Sequence, residues 1–188
     1  MKRLIAALTS ATALLLATPP PAAAAVNPAP CIAKSGSEAT ETREDSSVDD
    51  GEIRYTASSK YGDAIQYAVK AWQYSRSKIK VLPDSATTVN DLHFSDYSEN
   101  RNTSANWTRN AAIGATDHIR FNTARMGQWS RTTQRWIAVH ELGHALGLCH
   151  KSNGGASYVK SVMWTDPIEA GFADPQDVDK ANYRKLWG

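Results

Sequence analysis

Two histidines four residues apart, with a glutamate beside the first, are the clearest chemical feature of the sequence. His140 and His144 lie in a stretch, 132–146, whose apolar residues repeat with helical periodicity. Residues i and i+4 share a helix face, so both imidazoles can direct a ring nitrogen at one metal ion. Glu141 can then reach a water molecule beside that ion. The pattern predicts a metal site with a neighbouring carboxylate.

A third histidine follows a glycine that can end this helix. Gly147 can take the left-handed conformation, which turns the chain so that His150 returns to the metal from another direction. Three imidazoles and one water give the open, four-coordinate geometry of catalytic zinc, so one Zn2+ is the expected cofactor.

The string from His140 to His150, HELGHALGLCH, resembles the signature of the metzincin zinc peptidases, and within them the matrixins. Met163, thirteen residues after His150, resembles the methionine of the turn beneath the zinc in that family. The stretch 178–188 resembles the matrixin C-terminal helix. The resemblance implies an α+β, metzincin-like catalytic domain with a small twisted mixed sheet, an active-site helix and a C-terminal helix.

The same resemblance implies an activity, in which Glu141 accepts a proton from the attacking water and delivers it to the leaving amine. We expect a secreted zinc-dependent endopeptidase that hydrolyses extracellular proteins or peptides, with the substrate extended along an edge strand near 111–116. Tyr158 and Trp164 are candidates to line a selectivity pocket near the methionine turn, although core packing is the more common role for such residues. The alternatives are a zinc-stabilised binding protein without turnover and a zinc amidase acting on a non-peptide amide.

Three departures from the matrixin pattern concern the pocket and the activation step. Trp164, Thr165 and Asp166 stand where matrixins commonly have an aromatic residue followed by proline. Lys151 follows the last histidine in place of a frequent serine. The usual cysteine motif of the pro-segment is missing.

The two remaining histidines are candidates for a second metal site. His93 and His118 could bind a structural Zn2+ together with Asp91 or Asp117. The alternative, which we favour, is that they are ordinary strand or surface histidines. A structural Ca2+ has no supporting motif.

The N-terminus is typical of a secretory signal peptide. Lys2 and Arg3 precede a short apolar run and then an alanine-rich stretch, which predicts a signal peptide over 1–25 and a secreted, extracellular protein. Without it, 19 basic residues balance 19 acidic ones. This balance disfavours a nucleic acid partner. After cleavage we expect no membrane association and a monomer, and the resemblance to the metzincins implies a polypeptide substrate.

The segment 26–52 differs in composition from the rest. From Lys34 to Glu52 it carries seven acidic and two basic residues, whereas 53–188 carries seventeen basic and twelve acidic residues. We interpret 26–52 as a disordered acidic linker or, alternatively, a short pro-segment lying over a basic domain. The catalytic domain is assigned to 53–188.

The sequence contains two cysteines, Cys31 and Cys149. In a secreted chain they favour a disulfide. By analogy with the family, the alternative is that Cys31 binds the zinc as a thiolate before activation.

Periodicity places the other elements approximately. Strands are expected at 53–56, 79–82, 89–94 and 119–122, and a helix around 65–72. The stretch 100–110 is interpreted as a polar loop. We expect Thr132 or Thr133 to cap the histidine-bearing helix and Asp174 to cap the last helix.

Overall fold

The computed structural model describes residues 26–32, 40–112, 114–151, 158–165 and 171–188. The predicted signal peptide therefore lies outside the described residues. The described strands are β1 (Glu52–Ala57), β2 (Lys80–Pro83), β3 (Leu92–Tyr97), β4 (Ala105–Thr108) and β5 (Asp117–Asn122). The described helices are α1 (Gly62–Trp72), α2 (Thr123–Met126), α3 (Arg131–Ala145) and α4 (Asp177–Trp187). None of these described helices has the length and apolar character needed to cross a bilayer.

The strands form one five-stranded mixed sheet in the order β2-β1-β3-β5-β4. All neighbours pair in parallel except β4, which runs antiparallel to β5 at the edge. Alternate strand residues point to one face, so β5 buries Ile119 and Phe121 and leaves Arg120 exposed. This architecture confirms the predicted α+β class with a mixed sheet.

Helices α1 and α3 pack against each other, and α3 also contacts β4 and β5. The indole of Trp72, at the end of α1, is buried and donates to the carbonyl of Val139 in α3 at 2.8 Å. Because α3 carries two of the predicted metal ligands, this packing fixes their position relative to the sheet.

Helix boundaries differ slightly from the expectations. Ser130 caps α3, since its Oγ accepts from the N–H of Thr133, so the helix begins two residues earlier than Thr133. Helix α4 begins at Asp177 with a reciprocal capping box between Gln176 and Asp179. The expected Asp174 cap is therefore wrong, because a complete capping box is available two residues later.

The N-terminal part of the chain packs on the domain. Cys31 and Cys149 form a disulfide, as expected from the cysteine count. Residues 40–51, which we call the N-terminal strap, bury Ser46 and Ser47. The interpretation of a disordered linker is wrong for these residues. Their composition suggests that too little apolar surface is buried to offset the entropy cost of ordering, but hydrogen bonds and ion pairs to the domain offset that cost.

Candidate metal centre

Three histidines bring their Nε2 atoms together at the C-terminal end of α3. The separations are 3.1 Å for His140 and His144, 3.0 Å for His140 and His150, and 3.2 Å for His144 and His150. They form the one cluster of three or more ligating side chains found among the described residues that could hold a metal ion. Gly147, with φ of 81°, provides the expected left-handed turn between the second and third histidines.

The outer ring nitrogens are held by backbone carbonyls. Nδ1 of His140 donates to Val162 O at 2.7 Å, and Nδ1 of His144 donates to Leu148 O at 2.8 Å. A proton on each Nδ1 leaves Nε2 with a lone pair for a metal ion. Burial, followed by the proximity of His150, lowers the pKa of His140 to about 3. Burial, followed by the two neighbouring histidines, also lowers the pKa of His144.

A tight turn forms the floor of this centre. Asp179 in α4 accepts hydrogen bonds from Ser161 Oγ and, at 3.0 Å, from Val162 N. The carbonyl of Val162 is the one that holds His140, so α4 positions a histidine through this turn. Met163 is fully buried and its sulfur lies so close to Gly143 that a Cβ there would collide with it. The methionine therefore lies directly beneath α3.

Glu141 contacts the edge strand of the sheet. Its side chain is buried, and Oε2 accepts a hydrogen bond from Trp107 N at 2.7 Å. Trp107 belongs to β4, the edge strand, and its N–H points away from β5. The stretch 100–110 was expected to be a polar loop, and that expectation is wrong for residues 105–108.

The location of the edge strand also corrects the expectation for 111–116. None of the described residues in that range belongs to a strand, and β4 is the strand that borders the candidate centre. The physical reason is the short length of β4. Only Ala105 and Trp107 alternate toward the interior, which is too little periodicity to distinguish a strand from a loop.

A cleft of about 370 Å³ lies between β4 and α3. Its walls include Glu141, the three histidines, Trp136, Ile137 and Thr165, together with the polar stretch 102–106. The Trp136 ring stacks on His140 with centroids 4.9 Å apart. The cleft thus exposes the histidines and the carboxylate to one continuous space.

The candidate pocket residues Tyr158 and Trp164 pack edge to face, with ring centroids 5.6 Å apart. Tyr158 is 43% exposed. Thr165, next to Trp164, lines the cleft. Asp166 lies outside the described residues, so the role of this wall stays a prediction.

Lys151, the departure that follows His150, is fully buried and pairs with Glu41 of the N-terminal strap. Burial lowers the pKa of Lys151, and the Glu41 carboxylate opposes that shift. The N–H of Ile32 donates to the carbonyl of His150 at 2.9 Å. The third histidine therefore lies next to contacts made by the N-terminal part of the chain.

The other two histidines are neighbours on the sheet. His93 pairs with His118 in the register of β3 and β5, and its ring nitrogens contact Thr56 Oγ1 and Ser58 Oγ at 2.7 and 2.9 Å. Asp117 accepts from Ser47 Oγ. These partners agree with hydrogen-bonded strand histidines, and the described residues offer no second cluster of three ligands.

Four residues that shape this site were not predicted from the sequence: Ser47, Trp107, Trp136 and Asp179. Trp136 could have been found, because it precedes His140 by four residues and so shares its helix face. The capping-box pattern at Gln176 and Asp179 could also have been recognised in the sequence. The roles of Ser47 and Trp107 depend on contacts between distant parts of the chain and have no local signal.

No protein-family model and no curated protein sequence matches this chain. Among solved structures, it is similar to a chain from a structure titled "GM1 bound form of the ECX AB5 holotoxin". The sequence identity is 16%, the alignment covers 72% of this chain and 71% of that chain, and the TM-score is 0.46.

Proposed function

We propose that this protein is a secreted, zinc-dependent endopeptidase of the metzincin type, similar to the matrixins. The observation that carries the proposal is the convergence of three Nε2 atoms within 3.2 Å of one another in the cleft that also contains Glu141. A purely structural zinc site is closed by four protein ligands, whereas three ligands facing a cleft leave a position for water.

The donor set fits zinc. Four nitrogens placed tetrahedrally around zinc, each about 2.0–2.1 Å from the ion, lie about 3.3 Å from one another. The Nε2 atoms of the three histidines are 3.0–3.2 Å apart, which is close to this spacing. The Nδ1 atoms of His140 and His144 both donate to backbone carbonyls. Zinc-binding histidines usually make such a hydrogen bond with the nitrogen that does not bind the metal. The lowered pKa values of these two residues keep the imidazoles neutral and able to bind a metal.

Glu141 is the proposed general base and then general acid. When bound, zinc supplies Lewis acidity that makes water a nucleophile near neutral pH and polarises the carbonyl. Glu141 takes a proton from the attacking water and gives it to the departing amine. The hydrogen bond from Trp107 N holds the carboxylate toward the cleft, so the group need not reorganise before it accepts the proton.

The edge strand β4 is the proposed binding surface for substrate. Antiparallel pairing with an extended peptide binds its backbone and accepts many side chains. The polar stretch 102–106 lines the cleft beside the histidines. The substrate is therefore proposed to be a polypeptide that can adopt an extended conformation.

Secretion and a monomeric state are part of the same proposal. The leader-like 1–25 and the disulfide between Cys31 and Cys149 support export to an oxidising environment. The balanced charge of the remaining chain does not favour nucleic acid as a partner.

The test is the variant Glu141→Gln, which keeps an oxygen that can accept from Trp107 but cannot take the proton. Zinc-loaded protein should cleave casein and unstructured peptides, and the variant should lose about a thousandfold in kcat at unchanged zinc content. Glu44→Gln, an exposed change in the N-terminal strap, is the matched control and should keep full activity.

Other results would redirect the proposal. Equal activity in the Glu141→Gln variant would exclude the assigned role of this residue. Zinc binding without hydrolysis of any peptide would favour a binding protein. Hydrolysis of N-acyl amides but not of peptides would favour an amidase. Removing zinc with EDTA and restoring it should abolish and then recover turnover if the ion takes part in the reaction.

A further inference from the structure

One side chain of the N-terminal strap is hydrogen-bonded into the wall of the cleft. Ser47 is buried, and its hydroxyl donates to Asp117 Oδ2 at 2.6 Å while accepting from the indole N–H of Trp107 at 3.1 Å. Its backbone N–H also donates to the carbonyl of Ala145, at the end of α3, at 2.7 Å. Ser47 therefore contacts both β4 and α3, the two elements that border the cleft.

Trp107 connects this serine to the carboxylate. The residue uses its side chain toward Ser47 and its backbone N–H toward Glu141, at 3.1 and 2.7 Å respectively. Because both groups belong to one residue, the hydrogen bond that anchors the indole also helps to restrain the backbone N–H. Two hydrogen bonds thus link Glu141 to a residue sixty positions before Trp107 in the chain.

We propose that Ser47 is a positioning residue for Glu141, acting through Trp107. The inference rests on the proposed function, in which Glu141 transfers the proton. The strap is then an integral part of the catalytic unit, and its removal as a pro-segment would impair turnover instead of activating the enzyme. The functional domain therefore includes the strap and does not begin at Ile53.

The burial of the network makes the arrangement specific. The four side chains of Ser47, Trp107, Asp117 and Glu141 are each less than 9% exposed. The hydroxyl acts as donor and acceptor at once, so its loss deprives the indole N–H and the Asp117 carboxylate of a partner.

The neighbouring residue provides a matched control. Ser46 is also buried in the strap, and its hydroxyl donates to Arg43 O at 2.7 Å and accepts from Val48 N at 3.3 Å. These partners lie within the strap itself. Ser46→Ala and Ser47→Ala thus remove the same group from adjacent positions, but only the second removes a link to Trp107.

The experiment compares these variants in the full chain, with zinc content measured for each. Ser47→Ala should lower kcat about tenfold with little change in KM, because a misplaced general base affects proton transfer more than substrate binding. Ser46→Ala should keep wild-type kcat, and Ser47→Thr, which retains the hydroxyl, should recover most of the loss. Equal kcat losses in both alanine variants would overturn the positioning role.

A second measurement does not require activity. In metal-free protein, NMR hydrogen exchange of the Trp107 backbone N–H should become about fivefold faster in Ser47→Ala and stay unchanged in Ser46→Ala. Unchanged exchange in Ser47→Ala contradicts the proposal even if the protein is a peptidase. Faster exchange with an inactive wild type means that the network exists while the proposed function is wrong.

Discussion

The three histidines lie within eleven residues of chain, whereas the long-range contacts of the N-terminal strap join residues up to 143 positions apart. The ligand segment, 140–150, uses one helix, one glycine turn and short-range bonds such as that from His144 to Leu148. The strap is tied to the ligand segment through Ser47 and, by way of Lys151, through Glu41.

This difference separates two questions: which residues can act as candidate metal ligands, and what holds those residues in place. A helix with i and i+4 histidines presents two ligands wherever it forms. Holding the third ligand and the carboxylate in place requires long-range contacts, whose loop-closure entropy must be offset by burial and ion pairing. Changes in the N-terminal region should therefore reduce stability or turnover while the ligands themselves remain intact.

The largest expected effect on stability comes from the disulfide. Replacing Cys31 and Cys149 by alanine opens a loop of 118 residues, so the free energy of unfolding should fall by about 4–5 kcal/mol on the chain-entropy model. Urea unfolding of oxidised wild type and of the variant measures this. A loss below about 1 kcal/mol would mean that residues 26–32 add little to the domain.

The next effect concerns the buried ion pair that follows the ligand segment. Glu41→Gln leaves the Lys151 ammonium buried without its carboxylate partner, and unfolding should become easier by about 3 kcal/mol. Adding Lys151→Met to this variant should recover most of the loss, because the unpaired charge is then removed. Thermal and urea unfolding of the two variants form the test.

The control for this pair lies in the same strap. Asp45 and Arg109 form an ion pair at 2.9 Å with about a third of each side chain exposed. Asp45→Asn should therefore cost less than about 1 kcal/mol. A cost for Asp45→Asn as large as that for Glu41→Gln would show that burial does not distinguish the two contacts.

The smallest effect appears in the ligand segment itself, as a pH dependence of the metal-free protein. The pKa of His140 is lowered to about 3 and that of His144 is also lowered, so below pH 6.5 the unfolded chain binds protons that the folded one does not. Stability is full above pH 6.5 and is lost as the pH falls toward 3. At pH 5 His140 should account for about 2 kcal/mol of this loss.

The variant His140→Gln tests this dependence. Between pH 7 and pH 5 the metal-free variant should lose about 2 kcal/mol less stability than the wild type, because one of the two buried titrating groups is gone. Urea unfolding at both pH values, with EDTA present, gives the comparison. Parallel losses in the two proteins would indicate that carboxylates and not these histidines dominate acid unfolding.

Local patterns predicted much of the fold. The spacing of apolar residues located α1 and α3 within a few residues, and the alternation in β1, β2 and β5 located those strands. β4 was missed because four residues with two inward apolar side chains resemble a loop. The order of the strap was not predicted, because composition indicates only the average entropy cost of ordering a segment. It does not reveal specific hydrogen-bond partners such as Asp117.

By itself, the sequence determined the candidate ligand set, the carboxylate beside it and the turn that returns His150 to the other two histidines. These features depend on helical periodicity and on the backbone freedom of Gly147, which act within a few residues. Only the tertiary structure decided that β4 forms the cleft wall, that Asp179 supports the floor and that Ser47 contacts Trp107. Those contacts join distant parts of the chain, and their energies exist only once the sheet and helices have packed.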